Sequence, residues 1–345
     1  MTRPEAPTLP SHDPVARYAP LRDPAVLDWI AVRVRRARRI GDDEPVAFEF
    51  PRRGQRTPVA RVHCAGETVI AKLVAGLPQV AVNAAHLRYL ASRELPVPRL
   101  LDWSRAPPAR AWLTLEECID GRTLDDLPAA ERASGLARIA RTLSALHAQR
   151  RRTRGWIGMP RPGGYAPAYL SHALERAERL RDLLPADELD RVAAGLRRTA
   201  GAIGARARHE LIHGHVNPGN FLVAAESAFL IDVNALHYGD ATRDLVRALG
   251  RLCKSPEEMS DFLARYFEHE GASQSDFESA EPFYACDFLL RLTRKRADRA
   301  LREGVRDPGA IRDEAHARLE LCLALLRPDG PRFHQTPVPF SSPQA

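Results

Sequence analysis

The sequence predicts an α+β protein in which strands come first and helices follow. Short apolar runs separated by polar turns fill residues 46–74, a pattern typical of adjacent strands. Apolar-periodic segments at residues 136–147 and over much of residues 247–326 favour helices. With 345 residues and 44% hydrophobic content, the chain is long enough for two packed lobes or domains around a real core.

The charge of the chain is strongly biased towards arginine. The formal net charge is +7, and lysine occurs only at Lys72, Lys254 and Lys295. Genomic base composition can produce this bias, so no specific nucleic-acid binding is expected. The arginine-rich segments 33–39 and 291–296 leave a peripheral contact with anionic lipid or saccharide open.

Cysteine spacing and hydropathy predict a cytoplasmic protein. The five cysteines are scattered without metal-type spacing, as expected of reduced thiols. Residues 1–20 lack the apolar core of a signal peptide, and no run approaches the ~20 apolar residues that span a bilayer. Residues 1–22 are predicted to be disordered.

The first part of the chain is predicted to form a helix, three strands and a second helix. Residues 23–40 are apolar-periodic and begin with Asp23, a good N-cap. Strands are predicted at residues 46–50, 59–63 and 68–74, followed by a helix at residues 79–93. Lys72 lies within the third strand, where an ammonium group is costly to bury unless it is paired. The alternative without a function is that Lys72 lies in an edge strand and its ammonium group reaches water.

The most informative stretch runs from residue 211 to residue 233. Apolar runs flank a polar turn, which predicts a strand–loop–strand hairpin with its polar side chains on one rim. The turn contains His213, His215, Asn217 and Asn220, and the second run ends at Asp232. The oxygens of Asn220 and Asp232 suit a hard cation such as Mg²⁺, which proteins hold by one or two such groups plus substrate phosphates.

This stretch resembles the catalytic loop of the aminoglycoside phosphotransferase and choline kinase superfamily, His-Gly-Asp-x-x-Pro-x-Asn followed by a strand that ends in a metal-binding Asp. His213, Gly214, Pro218, Asn220 and Asp232 match this pattern. Residues 95–101 and 111–121 resemble the segment after the family's first-lobe helix and the hinge between its lobes, and residues 239–245 match Gly-Asp-x-x-x-Asp-Leu.

The resemblance implies a bilobal protein-kinase-like fold with a small β-rich N-lobe and a larger helical C-lobe. It implies an N-lobe with its preceding helix at residues 23–117, a C-lobe with the catalytic loop at residues 118–326, and a flexible tail at residues 327–345. Asp240 and Asp244 are expected to be structural, holding the turn and the loop.

The resemblance also implies a Mg-ATP site. Lys72 would hold the α- and β-phosphates, and Asn220 and Asp232 would hold Mg²⁺. The hinge backbone at Glu117 and Ile119 would meet adenine. A phosphate-covering turn would lie at residues 53–55, although a single glycine there is a poor match. The helix glutamate that pairs with the lysine in this family is replaced by Asn83, so Asn83 or Gln79 is expected to hydrogen-bond Lys72 without opposing its charge.

One departure keeps the function open. His215 stands where the family has its catalytic Asp, and a neutral imidazole can accept a proton near neutral pH. One alternative is a phosphotransferase acting on a small-molecule hydroxyl with His215 as base. Others are a pseudokinase that binds nucleotide or a partner without catalysis, and a kinase of lipid or saccharide of the lipopolysaccharide-core type.

Overall fold

The computed structural model describes residues 19–50, 57–204, 209–268, 273–303 and 308–337. These belong to two compact units, Met1–Gly121 with Phe229–Asn234, and Arg122–Ala228 with Ala235–Ala345. The sequence predicts the boundary after residue 117 and assigns residues 229–234 to the second lobe, so the structure moves both. The predicted phosphate-covering turn and residues 1–18 lie outside the described residues.

The first unit is built on a five-stranded antiparallel sheet in the order β1-β2-β3-β5-β4. Its strands are β1 Val46–Glu49, β2 Val59–Cys64, β3 Glu67–Val74, β4 Leu100–Ala106 and β5 Ala111–Glu117. The predicted strands are confirmed with small shifts at their ends. The sequence did not identify β4 as a strand.

Two helices of the first unit, α1 Pro24–Arg38 and α2 Leu77–Ala91, pack on the sheet. Asp23 caps α1 by accepting a hydrogen bond from Ala25 N at 2.9 Å. The apolar side of α1 shares one core with alternate residues of β3, such as Val69 and Ala71. Helix α2 contacts β3, β4 and β5. Because side chains alternate along a strand, the intervening residues of β3, including Lys72, belong to the other face.

The second unit is mostly helical. Its helices are α3 Ala129–His147, α4 Ala166–Glu178, α5 Ala186–Gly204, α6 Ala241–Leu252, α7 Pro256–Phe267, α8 Gln274–Glu303 and α9 Pro308–Leu325. Its short strands are β6 Arg150–Arg151, β7 Gly155–Trp156, β8 His209–Ile212, β9 Phe221–Val223 and β11 His237–Gly239, and β10 Ala228–Leu230 follows β9. The kinase-like fold predicted from the sequence, strand-rich first and helical second, is confirmed.

The predicted hairpin around the polar turn is wrong in its pairing. Strand β8 pairs with β6 and β11, in a four-stranded antiparallel sheet ordered β6-β8-β11-β7. Strand β9 belongs to a separate two-stranded sheet with β10. The physical reason lies in the loop. The backbone N–H groups of His213 and Gly214 bond to a carboxylate rather than to a strand, and a 3₁₀ turn at Pro218–Asn220 precedes β9.

Part of the predicted tail is packed. Phe333–Gln335 form a 3₁₀ helix in which Phe333 is fully buried, and His334 N donates to the carboxylate of Glu281 at 3.2 Å. All five cysteines are free thiols, as predicted. Within the described ranges, no helix is long and apolar enough to cross a membrane.

Candidate nucleotide and catalytic site

Lys72 forms a short ion pair inside the first unit. The register places it opposite Thr114 of β5, so Thr114 and Glu116, two residues apart, share its face of the sheet. The Nζ of Lys72 lies 2.5 Å from Oε2 of Glu116, and the two side chains are 21% and 3% exposed. The burial of the ammonium group is therefore compensated.

The second oxygen of Glu116 is also satisfied. Its Oε1 accepts hydrogen bonds from Thr114 Oγ1 and Asn83 Nδ2, both at 3.2 Å. A buried carboxylate with donors on both oxygens is held in one geometry, since leaving either unmet would cost free energy. Glu116 takes one of the three donors that the ammonium of Lys72 carries.

The expectation that Asn83 would hydrogen-bond Lys72 is wrong. Helix α2 carries no acid, as predicted, but the counter-charge comes from β5, and Asn83 bonds to Glu116 instead. The sequence contained the signal for Glu116, because it is an acid inside an apolar strand, as Lys72 is a base inside one. The neighbouring Glu117 faces away and pairs with Arg99 at 3.1 Å. Ile119 lies just beyond the end of β5.

Asp232 lies in a segment that packs with the first unit. His86 Nδ1 bonds to the carbonyl of Val233 at 2.7 Å, and Leu230 N bonds to the carbonyl of Pro96 at 2.8 Å. Burial lowers the pKa of His86, so its ring is neutral and Nδ1 carries the donated proton.

The backbone of Asp232 is left-handed, with φ of 56°. Asp tolerates this region better than most residues, at some cost, and such residues cluster at functional sites. Asp232 is exposed, and its Oδ1 accepts from Asn234 Nδ2 at 2.8 Å. The local structure therefore presents an exposed carboxylate on a constrained turn.

The loop that resembles the family's catalytic loop lies in the second unit and is held by Asp244 of α6. Its carboxylate accepts hydrogen bonds from His213 N at 2.7 Å and Gly214 N at 3.1 Å. Gly214 has φ of +76°, and a Cβ there would lie 2.6 Å from the carbonyl oxygen of Ala235. Glycine is therefore required at this position. The expected structural role of Asp244 is confirmed.

The environment of Asp244 keeps it ionised. Burial alone would raise its pKa, but His147, then His213 and Arg247, hold the pKa well below its usual range. His147 Nε2 lies 3.6 Å from Oδ2, beyond ordinary hydrogen-bond length. Arg247 Nη1 donates to the carbonyl of Gly214.

His215 and Asn220 are neighbours within the loop. The carbonyl of His215 accepts from Asn220 Nδ2 at 2.8 Å and from Asn217 Nδ2 at 3.2 Å, and His215 itself is exposed. Because the amide nitrogen of Asn220 is used in this way, its Oδ1 is the atom left to bind a ligand, and no donor of the described chain bonds to it. That arrangement fits a metal-ligating Asn.

The predicted site residues therefore form two local clusters. Lys72, Asn83 and Glu116 come together in the first unit, which also holds Asp232. His215 and Asn220 come together in the second unit.

The family of the chain is shown by sequence. The model of the phosphotransferase enzyme family APH matches residues 49–283, more than half of the chain, so the protein belongs to this family. No curated protein sequence matches the chain.

Solved structures support the fold. A thermostable mutant of aminoglycoside phosphotransferase APH(4)-Ia, in a ternary complex with ADP and hygromycin B, is similar with a TM-score of 0.58 and 17% identity, over 84% of this chain and 98% of that one. A choline/ethanolamine kinase family protein from Mesorhizobium loti has a TM-score of 0.56 and 19% identity, over 88% and 95%. A Thermobifida fusca protein assigned as a fructosamine-3-kinase has a TM-score of 0.56 and 21% identity, over 86% and 99%.

His237, packed beside Gly214, predicts a pH dependence of stability. Burial lowers the pKa of His237 to about 4, below its ordinary value near ~6.5. The unfolded chain then binds more protons between those values, so the free energy of unfolding falls as the pH drops from about 6.5 to about 4. We expect His237→Gln to remove about 2–3 kcal/mol of this loss.

Urea unfolding at pH 4.5 and pH 7 measures this difference. His172→Gln, at an exposed position, is the matched control and should keep the wild-type pH dependence. An unchanged dependence in His237→Gln would contradict the assignment.

Proposed function

We propose that the protein transfers the γ-phosphoryl group of ATP to the hydroxyl group of a small molecule in the cytoplasm. The observation that carries this proposal is the buried pair of Lys72 and Glu116, because a lysine held by a carboxylate is the phosphate-binding element of kinase-like folds. The adenine ring would meet the backbone at Glu117 and Ile119. Family membership and the ADP complex of APH(4)-Ia support ATP as the donor.

Lys72, Glu116 and Asn83 have separate roles in this proposal. Lys72 binds the phosphates with the donors that Glu116 does not take. Glu116 positions the ammonium group, and Asn83 positions Glu116 through the 3.2 Å hydrogen bond. The sheet therefore replaces the helix as the source of the counter-charge.

Mg²⁺ is the proposed metal, with oxygens of Asn220 and Asp232 as protein ligands. The orientation of the Asn220 amide supports this role, and so does the exposed carboxylate of Asp232. When bound, Mg²⁺ neutralises the charge that develops on the phosphates. The chain itself supplies the orientation, because both side chains are positioned by local hydrogen bonds.

His215 is the proposed general base. Its neutral imidazole takes the proton of the acceptor hydroxyl as the oxygen forms a bond to the γ-phosphorus and the bond to ADP breaks. The hydrogen bonds from Asn217 and Asn220 to its carbonyl hold the backbone of His215 in place, which fixes the point from which the ring extends. Positioning and charge neutralisation provide most of the catalysis in phosphoryl transfer, so a changed base does not by itself end the reaction.

The competing function is nucleotide binding without transfer. It is favoured by His215 in place of the family's Asp. The two functions share the nucleotide site and differ in turnover, so binding and turnover are tested separately.

The nucleotide site is tested by thermal shift. A ligand that binds only the folded state, at about 100 times its Kd, adds about 2.7 kcal/mol to the free energy of unfolding. We expect ATP to raise the Tm in a Mg²⁺-dependent manner, and Asp232→Ala to abolish the Mg²⁺-dependent part. Absence of any shift at millimolar ATP would reject the kinase function and leave an interaction protein on a kinase scaffold.

The role of Glu116 is tested by exchange of two side chains. A hydrogen bond to a charged group contributes about 1.5–3 kcal/mol, so Glu116→Gln should weaken ATP binding about tenfold or more. The double variant Glu116→Gln/Asn83→Glu returns a carboxylate to the cluster and should recover part of the affinity.

Asp102→Asn is the control for this exchange. It breaks the ion pair of Asp102 with Arg33, and its register partner Leu115 lies on the other face of the same sheet. Equal losses of ATP affinity in Glu116→Gln and Asp102→Asn, by isothermal titration, would show that Glu116 acts only through general stability.

The role of His215 is tested by ADP formation from Mg-ATP, alone and with a panel of cationic and anionic hydroxyl acceptors. General-base catalysis contributes typically 10²–10⁴-fold, so His215→Ala should lower kcat by about that factor while its ATP-induced shift persists. Higher turnover in His215→Asp than in the wild type would instead identify a scaffold that has lost its base.

A further inference from the structure

A row of arginines follows one side of α6. Arg243, Arg247 and Arg251 are spaced by four residues, so their side chains share a face along about 12 Å of helix. Helix α8, which packs on α6 and on α4, adds Arg291. We call these four residues the arginine cluster.

The arginine cluster has no carboxylate partner within the described residues. No Asp or Glu oxygen of the described chain forms an ion pair with any of the four guanidinium groups. The contacts they make are neutral: Arg247 donates to the carbonyl of Gly214, Arg243 lies 5.0 Å from the ring centre of Tyr169, and Arg251 lies 5.9 Å from that of Phe288.

The two nearby carboxylates are already engaged. Asp287 pairs with Arg176 of α4, and Asp244 accepts the backbone N–H groups of the catalytic loop. The charge of the arginine cluster therefore remains in excess over its surroundings. Buried charges are normally paired, because an unpaired one is costly to remove from water.

Burial would lower the pKa of Arg243, but Tyr169, Asp287 and Asp244 raise it, whereas the electrostatics of Arg247 and Arg291 agree with an excess of positive charge. Burial, and then the neighbouring charge of Arg243, lower the pKa of Arg247 to about 9. Burial and the charges of Arg176, Arg243 and Arg251 lower the pKa of Arg291. All four groups still carry their charge at neutral pH, so an anion that bound among them would relieve their mutual repulsion.

The arginine cluster is linked to the catalytic loop. Arg247 bonds to the carbonyl of Gly214, the residue directly before His215, and Asp244 of the same helix holds the loop backbone. Arg291 is exposed and Arg243 and Arg251 are partly exposed, so the cluster is open to solvent beside the loop.

We infer that the arginine cluster binds the anionic group, a phosphate or a carboxylate, of the molecule that is phosphorylated. This inference rests on the proposed function and assigns its acceptor class. It also gives the substitution at position 215 a physical purpose. An aspartate base would repel an anionic acceptor, whereas a neutral imidazole takes the hydroxyl proton without that repulsion.

Inorganic phosphate is the probe for this site. The Tm is measured in sodium phosphate and in sodium chloride of equal ionic strength, for wild type, Arg291→Gln and Arg243→Gln. Phosphate should raise the Tm of the wild type by several degrees, and the shift should vanish in both variants. Because Arg291→Gln removes a charge that is repelled by its arginine neighbours, its Tm in chloride should not fall, whereas an arginine that only supports the fold would lower it.

Two controls locate the phosphate. Arg299→Gln removes an exposed arginine of the same helix that is paired with Glu303, and it should keep the full phosphate shift. Lys72→Met should keep the phosphate shift and lose the Mg-ATP shift, whereas Arg291→Gln should do the reverse. Failure of the proposed function therefore appears as a missing Mg-ATP shift in the wild type, whereas failure of the inference appears in the phosphate shift.

The inference is overturned if phosphate does not stabilise the wild type, if the shift is the same in Arg291→Gln and Arg243→Gln as in the wild type, or if it is lost in Lys72→Met. If Arg243→Gln fails to fold, the exposed Arg291 decides the question alone.

Discussion

The buried carboxylate of Asp244 is the interaction on which the second unit's site depends. It accepts two successive backbone N–H groups of the catalytic loop and so replaces the strand pairing that those groups would otherwise need. The loop can then leave β8 at His213, turn through the left-handed Gly214 and present His215 at the surface. Its charge is maintained by His147 and Arg247 although burial opposes it. A neutral side chain could not satisfy the same donors as strongly.

The first unit also contains a buried carboxylate that compensates another polar group, in this case the ammonium group of Lys72. A lysine inside a sheet needs a counter-charge, and the position expected to supply it, on α2, is occupied by Asn83. The chain moves the carboxylate to β5 and keeps the helix residue as a hydrogen-bond donor to it. What is preserved is a buried carboxylate beside the ammonium group, the arrangement on which phosphate binding depends in kinase-like folds. The element from which the carboxylate comes is free to change.

These cases explain which features the sequence predicts. Lys72 can be identified from the sequence because a charge inside a short apolar strand is a local pattern. The strands, the helices and the motif at residues 213–232 are local patterns as well. Glu116 is paired across 44 positions, and β8 pairs with β11 about 25 positions later. Such partners are fixed by tertiary packing. The spacing of Arg243, Arg247 and Arg251 can be read from the sequence. Their partial burial without a carboxylate ion-pair partner among the described residues cannot, since it depends on where α8 packs.

The substitution at position 215 and the arginine cluster are consistent with one another. At position 215 the family's negative charge is absent, and beside the same loop the arginine cluster leaves positive charge in excess. Each feature shifts the local potential in the same direction, so together they support the inference of an anionic rather than a cationic acceptor. A chain that had simply lost its catalytic function would have no physical reason to keep mutually repelling arginines partly buried beside the loop. The retained electrostatic cost therefore argues for a bound anion as the partner that offsets it.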